Sequence, residues 1–205
     1  YYEMLSVTSD GQVLLRRAAD HIDGRPAYRQ VRRYTLCHVC DGEDMGALRD
    51  IGGLKLRRQT ADIRVETPAY WQLSRYNDFA SGKHLTINGV PDRTYYRKQI
   101  LRIDFPALEG TEGAAPTVAL LMNEVFRTLF AENADYITAV APAAEQPYIT
   151  HTLDCTAVEE PPINGLYIIE DSPMDIGLLV AVERNLSRIF SILCDYLDWH
   201  LAALE

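Results

Sequence analysis

Three carboxylates stand close together after an apolar segment near the C-terminus. Gly165 to Asp171 has the pattern of a buried strand that ends in Glu170 and Asp171, and Asp175 follows four residues later. Hard cations such as Mg²⁺ prefer clusters of oxygen ligands of this kind. One interpretation of the segment is therefore a divalent-cation site at these three residues, serving a metal-dependent hydrolase or nuclease with His151 as a helper.

The same carboxylates also fit a structural role. Ser172 is a good helix N-cap, Pro173 suits the first helical position, and Asp175 stands three residues after the cap. A carboxylate there also complements the positive end of the helix dipole. Helix capping therefore competes with catalysis as the explanation of this turn.

Two cysteines have a spacing that suits a metal. Cys37 and Cys40 form a CxxC motif at the end of an extended segment, and two thiolates at this spacing can occupy two corners of a zinc tetrahedron. The motif supplies half of a zinc site, and the remaining ligands would come from Cys155, Cys194 or a histidine such as His38, His84 or His151. A reduced structural pair and a redox dithiol are the alternatives.

Charge divides the chain unequally. The net charge is −9, but residues 1–100 carry 16 Lys and Arg against 12 Asp and Glu, whereas residues 101–205 carry 4 against 17. A basic region of this kind can bind phosphates by counterion release, although two ordinary solvated surfaces would give the same count. The predicted phosphate contacts are Arg57, Arg58, Arg64, Lys83, Arg97 and Lys98.

The sequence pattern changes near residue 105. Residues 1–105 contain short alternating segments and turn signals typical of strands, whereas residues 106–205 mix strands with apolar residues at helical spacing. We expect a β-rich, mildly basic subdomain at 1–105 and an acidic α/β subdomain at 106–205. The second contains a helix at 117–133 and a long amphipathic C-terminal helix at 173–203. The predicted fold class is α+β.

The sequence lacks the motifs of several common classes of enzyme. The sequence has no GxxxxGK[ST], GxGxxG, GxSxG or HExxH pattern. It has no apolar run long enough to span a bilayer and no signal segment, so the expected location is the cytoplasm and no membrane partner is expected. The chain starts with Tyr1 and ends with Leu204 and Glu205, which suggests a piece of a longer parent protein.

One segment carries a resemblance to a known family. The run from Leu166 to Gly177, LYIIEDSPMDIG, is followed by a long helix and preceded by an extended segment, residues 100–105, and the 117–133 helix. This order resembles the helicase-associated, often zinc-binding domain that follows the motor of bacterial superfamily 2 DEAD/DEAH-type helicases, including the mitomycin-repair helicases. The resemblance implies an accessory domain of an ATP-dependent helicase.

The sequence thus favours a non-catalytic accessory domain that positions DNA, RNA or a partner within a helicase-like protein. No residue is assigned a catalytic role. Two alternatives remain: the divalent-metal hydrolase based on the acidic turn, and a protein-binding module whose partner covers the acidic half.

Overall fold

The structure is a computed structural model, and it describes residues 2–7, 12–17, 28–40, 49–72, 83–87, 93–108, 110–111, 113–146, 148–162 and 164–202. Ten strands lie within these ranges. They are β1 (Tyr2–Val7), β2 (Val13–Arg17), β3 (Tyr28–Cys40), β4 (Arg49–Ile51), β5 (Leu54–Gln72), β6 (Lys83–Thr86), β7 (Arg93–Asp104), β8 (Ile137–Val140), β9 (His151–Asp154) and β10 (Gly165–Glu170).

Eight of these strands form one sheet that curls until it nearly closes. Its main path runs β8-β10-β7-β5-β3-β9, and β4 and β6 pair with the two ends of the long strand β5. A parallel bridge between Ala141 and Thr152 then joins the β8 edge to the β9 edge. β1 and β2 form a separate antiparallel pair.

The two faces of the sheet carry two separate apolar clusters. Along β10, Leu166 and Ile168 contribute to one cluster while Tyr167 and Ile169 contribute to the other, as the two-residue period of a strand requires. The first cluster also contains residues of the helices. The second receives side chains from all six strands of the main path, so it is the interior of the curled sheet.

Within the described ranges, three α-helices cover the outer face. They are α1 (Ala114–Leu129), α2 (Leu178–Arg184) and α3 (Leu186–Ala202). Their buried stripes include Met122, Phe126, Val182 and Ile189, which are fully enclosed. The predicted α+β class is confirmed, and among the described residues no helix is both long and apolar enough to cross a membrane.

The helix predicted at 117–133 exists with different ends. It begins three residues earlier, after Gly113, whose carbonyl oxygen accepts hydrogen bonds from both the backbone N–H and the hydroxyl of Thr117. It ends at Leu129, because Phe130 leaves the helical conformation.

The C-terminal helix differs more from the prediction. It begins at Leu178 rather than at 173, and Asn185 separates it into α2 and α3. Ser172 is not its N-cap. The carboxylate of Glu170, at the end of β10, instead accepts hydrogen bonds from the backbone N–H groups of Ile176 and Leu178. The capping prediction is therefore wrong about the residue, because the cap comes from the preceding strand.

The proposed boundary near residue 105 does not separate two sheets. β10, from the second half, pairs with β7 along Gly165 to Ile169, and β9 pairs in parallel with β3. Strands from both halves thus belong to the same sheet, and the interior cluster contains side chains from both.

We predict that Gly165→Ala destabilises the protein strongly. A Cβ atom at Gly165 would lie 2.5 Å from the backbone oxygen of Ile103 and 2.8 Å from Cβ of Pro162. The paired backbone of β7 cannot move aside, so we expect a loss of about 2–3 kcal/mol in the free energy of unfolding. Urea denaturation measures it.

Gly177→Ala is the matched comparison. Gly177 has φ +86°, and no atom lies within 4 Å of the position that a Cβ atom would take there. Only backbone strain opposes this substitution, so its cost should be about 1 kcal/mol. Equal losses for the two variants would contradict the steric explanation for Gly165.

Candidate functional site

A buried carboxylate organises one end of the sheet interior. Asp171 follows β10 directly and its side chain is 1% exposed. The carboxylate accepts hydrogen bonds from the hydroxyls of Tyr34 (3.0 Å) and Tyr95 (2.7 Å). It also accepts bonds from the guanidinium groups of Arg32 (3.3 Å) and Arg93 (3.2 Å). Four donors from two strands thus meet at the residue that follows a third strand.

The sheet brings these donors together. Arg32 and Tyr34 lie on β3 and Arg93 and Tyr95 on β7, each pair two residues apart and so on one face of its strand. Burial, and then the negative charge of Asp171, raise the pKa of Tyr34, and burial raises the pKa of Tyr95 to about 12. Both phenols therefore remain protonated at neutral pH and can donate.

Beside this cluster lies a cleft lined by three arginines, which we call the arginine cleft. Arg29, Arg32 and Arg127 line it together with Asp135 and His151, and its volume is about 330 Å³. The lining holds three guanidinium groups against one carboxylate in a protein of net charge −9, and two of these groups also have partners outside the lining: Arg32 pairs with Asp171 and Arg127 with Glu124. Its geometry suits an anionic ligand with several acceptor oxygens.

His151 lines the arginine cleft with an uncharged ring. Its ring stacks on Tyr34 at a centroid distance of 6.4 Å, and Nδ1 lies 3.3 Å from the hydroxyl of Thr150. Burial, followed by the nearby charge of Arg32, lowers its pKa to about 4. The ring is therefore uncharged at neutral pH.

Three of the six predicted phosphate-contact residues have acidic partners from the second half of the chain. Arg58 pairs with Glu183 through two of its nitrogens, and Arg57 lies 3.8 Å from Glu160. The side chain of Lys98 is 4% exposed, and its Nζ lies 2.6 Å from a carboxylate oxygen of Asp175 and donates to the backbone oxygen of Ser172 at 2.9 Å. Lys98 would have to leave these partners to contact a phosphate.

The other three predicted residues lie nearer the surface. Arg64 is about half exposed and lies 3.4 Å from Glu66, and Lys83 is exposed on β6. Arg97 is exposed at a bulge in β7, where its φ is 50° and its backbone N–H donates to Asp62. The structure therefore does not bring the six predicted residues together at one surface.

The three carboxylates of the acidic turn also have separate partners. Glu170 caps α2, Asp171 binds the four donors described above, and Asp175 pairs with Lys98. Within the described parts of the chain, no three His, Cys, Asp or Glu side chains are grouped so that they could hold a metal ion. The divalent-cation site at Glu170, Asp171 and Asp175 therefore stays a prediction, and the structure does not group these three side chains as ligands.

The cysteines are dispersed among the strands and α3. Cys37 is exposed, and its thiol lies 3.8 Å from the backbone oxygen of Thr35. Cys40 ends β3, but its side chain lies outside the described residues. Cys155 is half-buried, and burial raises the pKa of its thiol. Cys194 is exposed rather than part of the core. Zinc at Cys37 and Cys40 stays a prediction.

Sequence reasoning missed the arginines that the fold gathers. Arg29, Arg32 and Arg93 lie within the basic half, but no local pattern separates them from other surface cations. Arg127 lies on α1, in the acidic half. One usable signal is the two-residue spacing of Arg32 with Tyr34 and of Arg93 with Tyr95, since it puts a cation beside a buried phenol.

The fold and the site define an α+β protein with a nearly closed sheet, whose interior ends in a polar cluster beside an arginine cleft. The chain is similar to the crystal structure of the DUF1998 helicase MrfA bound to DNA, with a TM-score of 0.44 and 8% sequence identity. The similarity covers 92% of this chain and 23% of that chain. No protein-family model and no curated protein matches the sequence.

We predict that Asp171→Asn lowers stability by about 3–5 kcal/mol, because it leaves two guanidinium groups without their buried counter-charge. The Asn side chain also offers donors to a site that already has four. Chemical denaturation monitored by circular dichroism measures the loss. Asp195→Asn, at an exposed position on α3, is the control and should change stability by less than about 0.5 kcal/mol.

We predict that His151 makes the protein less stable in acid. Its pKa in the folded state is about 4, below the ordinary 6.5, so between these values the unfolded chain binds a proton that the folded protein does not. Stability should fall by up to about 3 kcal/mol as the pH drops from 6.5 to 4. His151→Gln should flatten this part of a stability-against-pH curve. An unchanged curve would contradict the assignment.

Proposed function

We propose that this protein is a non-catalytic nucleic-acid-binding domain, and that the arginine cleft holds the phosphate backbone. The observation that carries the proposal is the lining of one cleft by Arg29, Arg32 and Arg127 in a protein of net charge −9. Phosphates neutralise such groups and release counterions, which is the main sequence-independent contribution to nucleic-acid affinity.

The distribution of ion pairs supports this location. At the opposite end of the sheet, Arg49 and Arg58 share Glu183, and Arg102 is held by Asp104 and by the backbone oxygens of Glu160 and Pro161. At the cleft end, one carboxylate, Asp171, serves both Arg32 and Arg93. Arg127 also pairs with Glu124 on α1, so the excess of positive charge is that of the cleft lining, where Arg29, Arg32 and Arg127 face one carboxylate, Asp135.

Preorganisation is the second support. A flexible arginine loses side-chain entropy when it binds a phosphate, and that loss is smaller if the guanidinium group is already held. Arg32 and Arg93 donate to Asp171, and Arg32 also donates to Gln30 at 3.5 Å; because each guanidinium group has five N–H donors, donors remain for a ligand. Arg64, Lys83 and Arg97 are proposed as contacts farther along the strands.

The wider role follows from the sequence resemblance of residues 166–177. We propose that the domain belongs to a larger helicase-like chain and positions DNA or RNA for its motor. MrfA was crystallised with DNA. For the present chain, DNA binding is a proposal that rests on the charges and geometry of the arginine cleft.

We predict that the double variant Arg29→Gln/Arg127→Gln binds nucleic acid about tenfold more weakly than the wild type. Two lost phosphate contacts should also lower the slope of log affinity against log salt by about 2 for duplex DNA. Fluorescence anisotropy with a labelled duplex of about 20 base pairs at several salt concentrations measures both quantities.

Two control variants make this test specific. Arg188→Gln removes one positive charge at an exposed site on α3, outside the cleft, and should leave the slope unchanged. Arg58→Gln removes a partner of Glu183 and should lower stability without changing the slope. A wild type that binds no DNA or RNA, or equal losses in Arg188→Gln and the double variant, would count against the proposal.

A further inference from the structure

The curled sheet stops short of closure along the seam between β8 and β9. The backbone oxygen of Ala141 accepts a hydrogen bond from the N–H of Leu153 at 3.3 Å, and Ala141 forms the parallel bridge with Thr152. Parallel pairing continued by two residues would next place Ala139 opposite Thr150. In the described part of the chain, no ladder joins the two strands beyond this bridge.

Asn123 of α1 occupies the edge of β8 where the pairing stops. Its Oδ1 atom accepts a hydrogen bond from the backbone N–H of Ala139 at 2.8 Å, and its Nδ2 atom donates to the backbone oxygen of the same residue at 2.9 Å. Ala139 is buried, so these backbone groups need partners. A side-chain amide carries the same donor and acceptor as a peptide group, so Asn123 takes the place of a neighbouring strand.

The space along the open part of the seam belongs to the arginine cleft. Thr138 of β8 and Thr150 and His151 of β9 line the cleft, and Asn123 lines it as well. If β9 continued to pair along β8, Thr150 would lie against Ala139 and backbone would fill this part of the cleft. The two bonds of Asn123 therefore satisfy the β8 edge and leave the seam open.

Asn123 also bears on the position of one cleft arginine. Arg127 follows it by four residues, so the two side chains lie on the same face of α1. The guanidinium group of Arg127 pairs with Glu124 on the same helix, so its place relative to Arg32 depends on how α1 sits on the sheet. The apolar contacts of α1 are not directional, whereas the two bonds to Ala139 fix the rotation of the helix.

We propose that Asn123 is the positioning residue of the arginine cleft: its amide replaces β9 at the β8 edge, and so holds the seam open and Arg127 at the cleft. The proposal rests on the phosphate binding proposed above and adds the residue that arranges it. Asn123 acts without a bond to the ligand. Its loss therefore weakens binding through Arg127.

The test measures the salt dependence of binding to a labelled duplex. Arg127→Gln should lower the slope of log affinity against log salt by about 1. Asn123→Leu removes both bonds to Ala139, and it should lower the slope by about the same amount and weaken binding about threefold. Asn123→Leu/Arg127→Gln should show no further decrease in slope, because both changes remove the same contact.

Thr117→Ala is the matched control. It removes the hydroxyl bond to the backbone oxygen of Gly113 at the other end of α1, so it should lower stability and leave the slope unchanged. Unfolding curves show whether each variant is folded. Asn123→Ser, whose short side chain cannot make both bonds to Ala139, repeats the test if the leucine variant does not fold. Loss of folding in both variants would assign Asn123 to stability alone and overturn the proposal.

The remaining outcomes separate this proposal from the one on which it rests. A wild-type slope in a folded Asn123 variant, a further decrease in the double variant, or an equal decrease in Thr117→Ala overturns the positioning role and leaves the arginine cleft standing. If Arg127→Gln keeps the wild-type slope, or if the wild type binds no nucleic acid, both proposals fail.

Discussion

The carboxylate of Asp171 is the interaction on which the rest of the structure depends. Its donors come from β3 and β7, and β3 is separated from β10 by two strands along the sheet. A side chain after β10 can reach β3 only across the interior, so this contact requires the sheet to curl. The curl also encloses the apolar interior, and it brings Arg32 of β3 close to Arg127 of α1, so that both line the arginine cleft.

The unequal charge of the two halves has a structural explanation. Carboxylates from residues 101–205 pair with cations from residues 1–100 throughout the sheet, as Glu183 does with Arg49 and Arg58 and Asp175 does with Lys98. The positive charge of residues 1–100 and the negative charge of residues 101–205 therefore largely neutralise each other where the two halves meet, instead of forming one basic and one acidic surface. The cleft lining keeps three guanidinium groups against one carboxylate, Asp135, although Arg127 of the acidic half also pairs with Glu124 and Arg32 with Asp171.

Local patterns were enough to predict the fold class, the buried strand that became β10, and the existence of α1. Those features depend on residues within one turn of helix or on alternation along one strand. The same reasoning predicted Ser172 as the N-cap of the C-terminal helix. The observed cap is Glu170, which accepts a hydrogen bond from the backbone N–H of Leu178, eight residues later, and no local rule assigns a cap at that distance. It also missed the arginine cleft, since the approach of α1 and β9 to β3 involves residues that are far apart in the sequence. Such contacts are fixed by the closed sheet and not by neighbours in sequence.

The near-closure of the sheet also limits how the chain can be divided. β7 has β5 on one side and β10 on the other, so a chain that stopped at residue 105 would leave the backbone groups of residues 100–104 unpaired on the β10 side. That edge carries Ile100, Leu101 and Ile103, all fully enclosed in the intact protein. An open apolar edge of this length is a template for strand addition between molecules. The acidic second half therefore protects the first half from self-association as well as completing its fold.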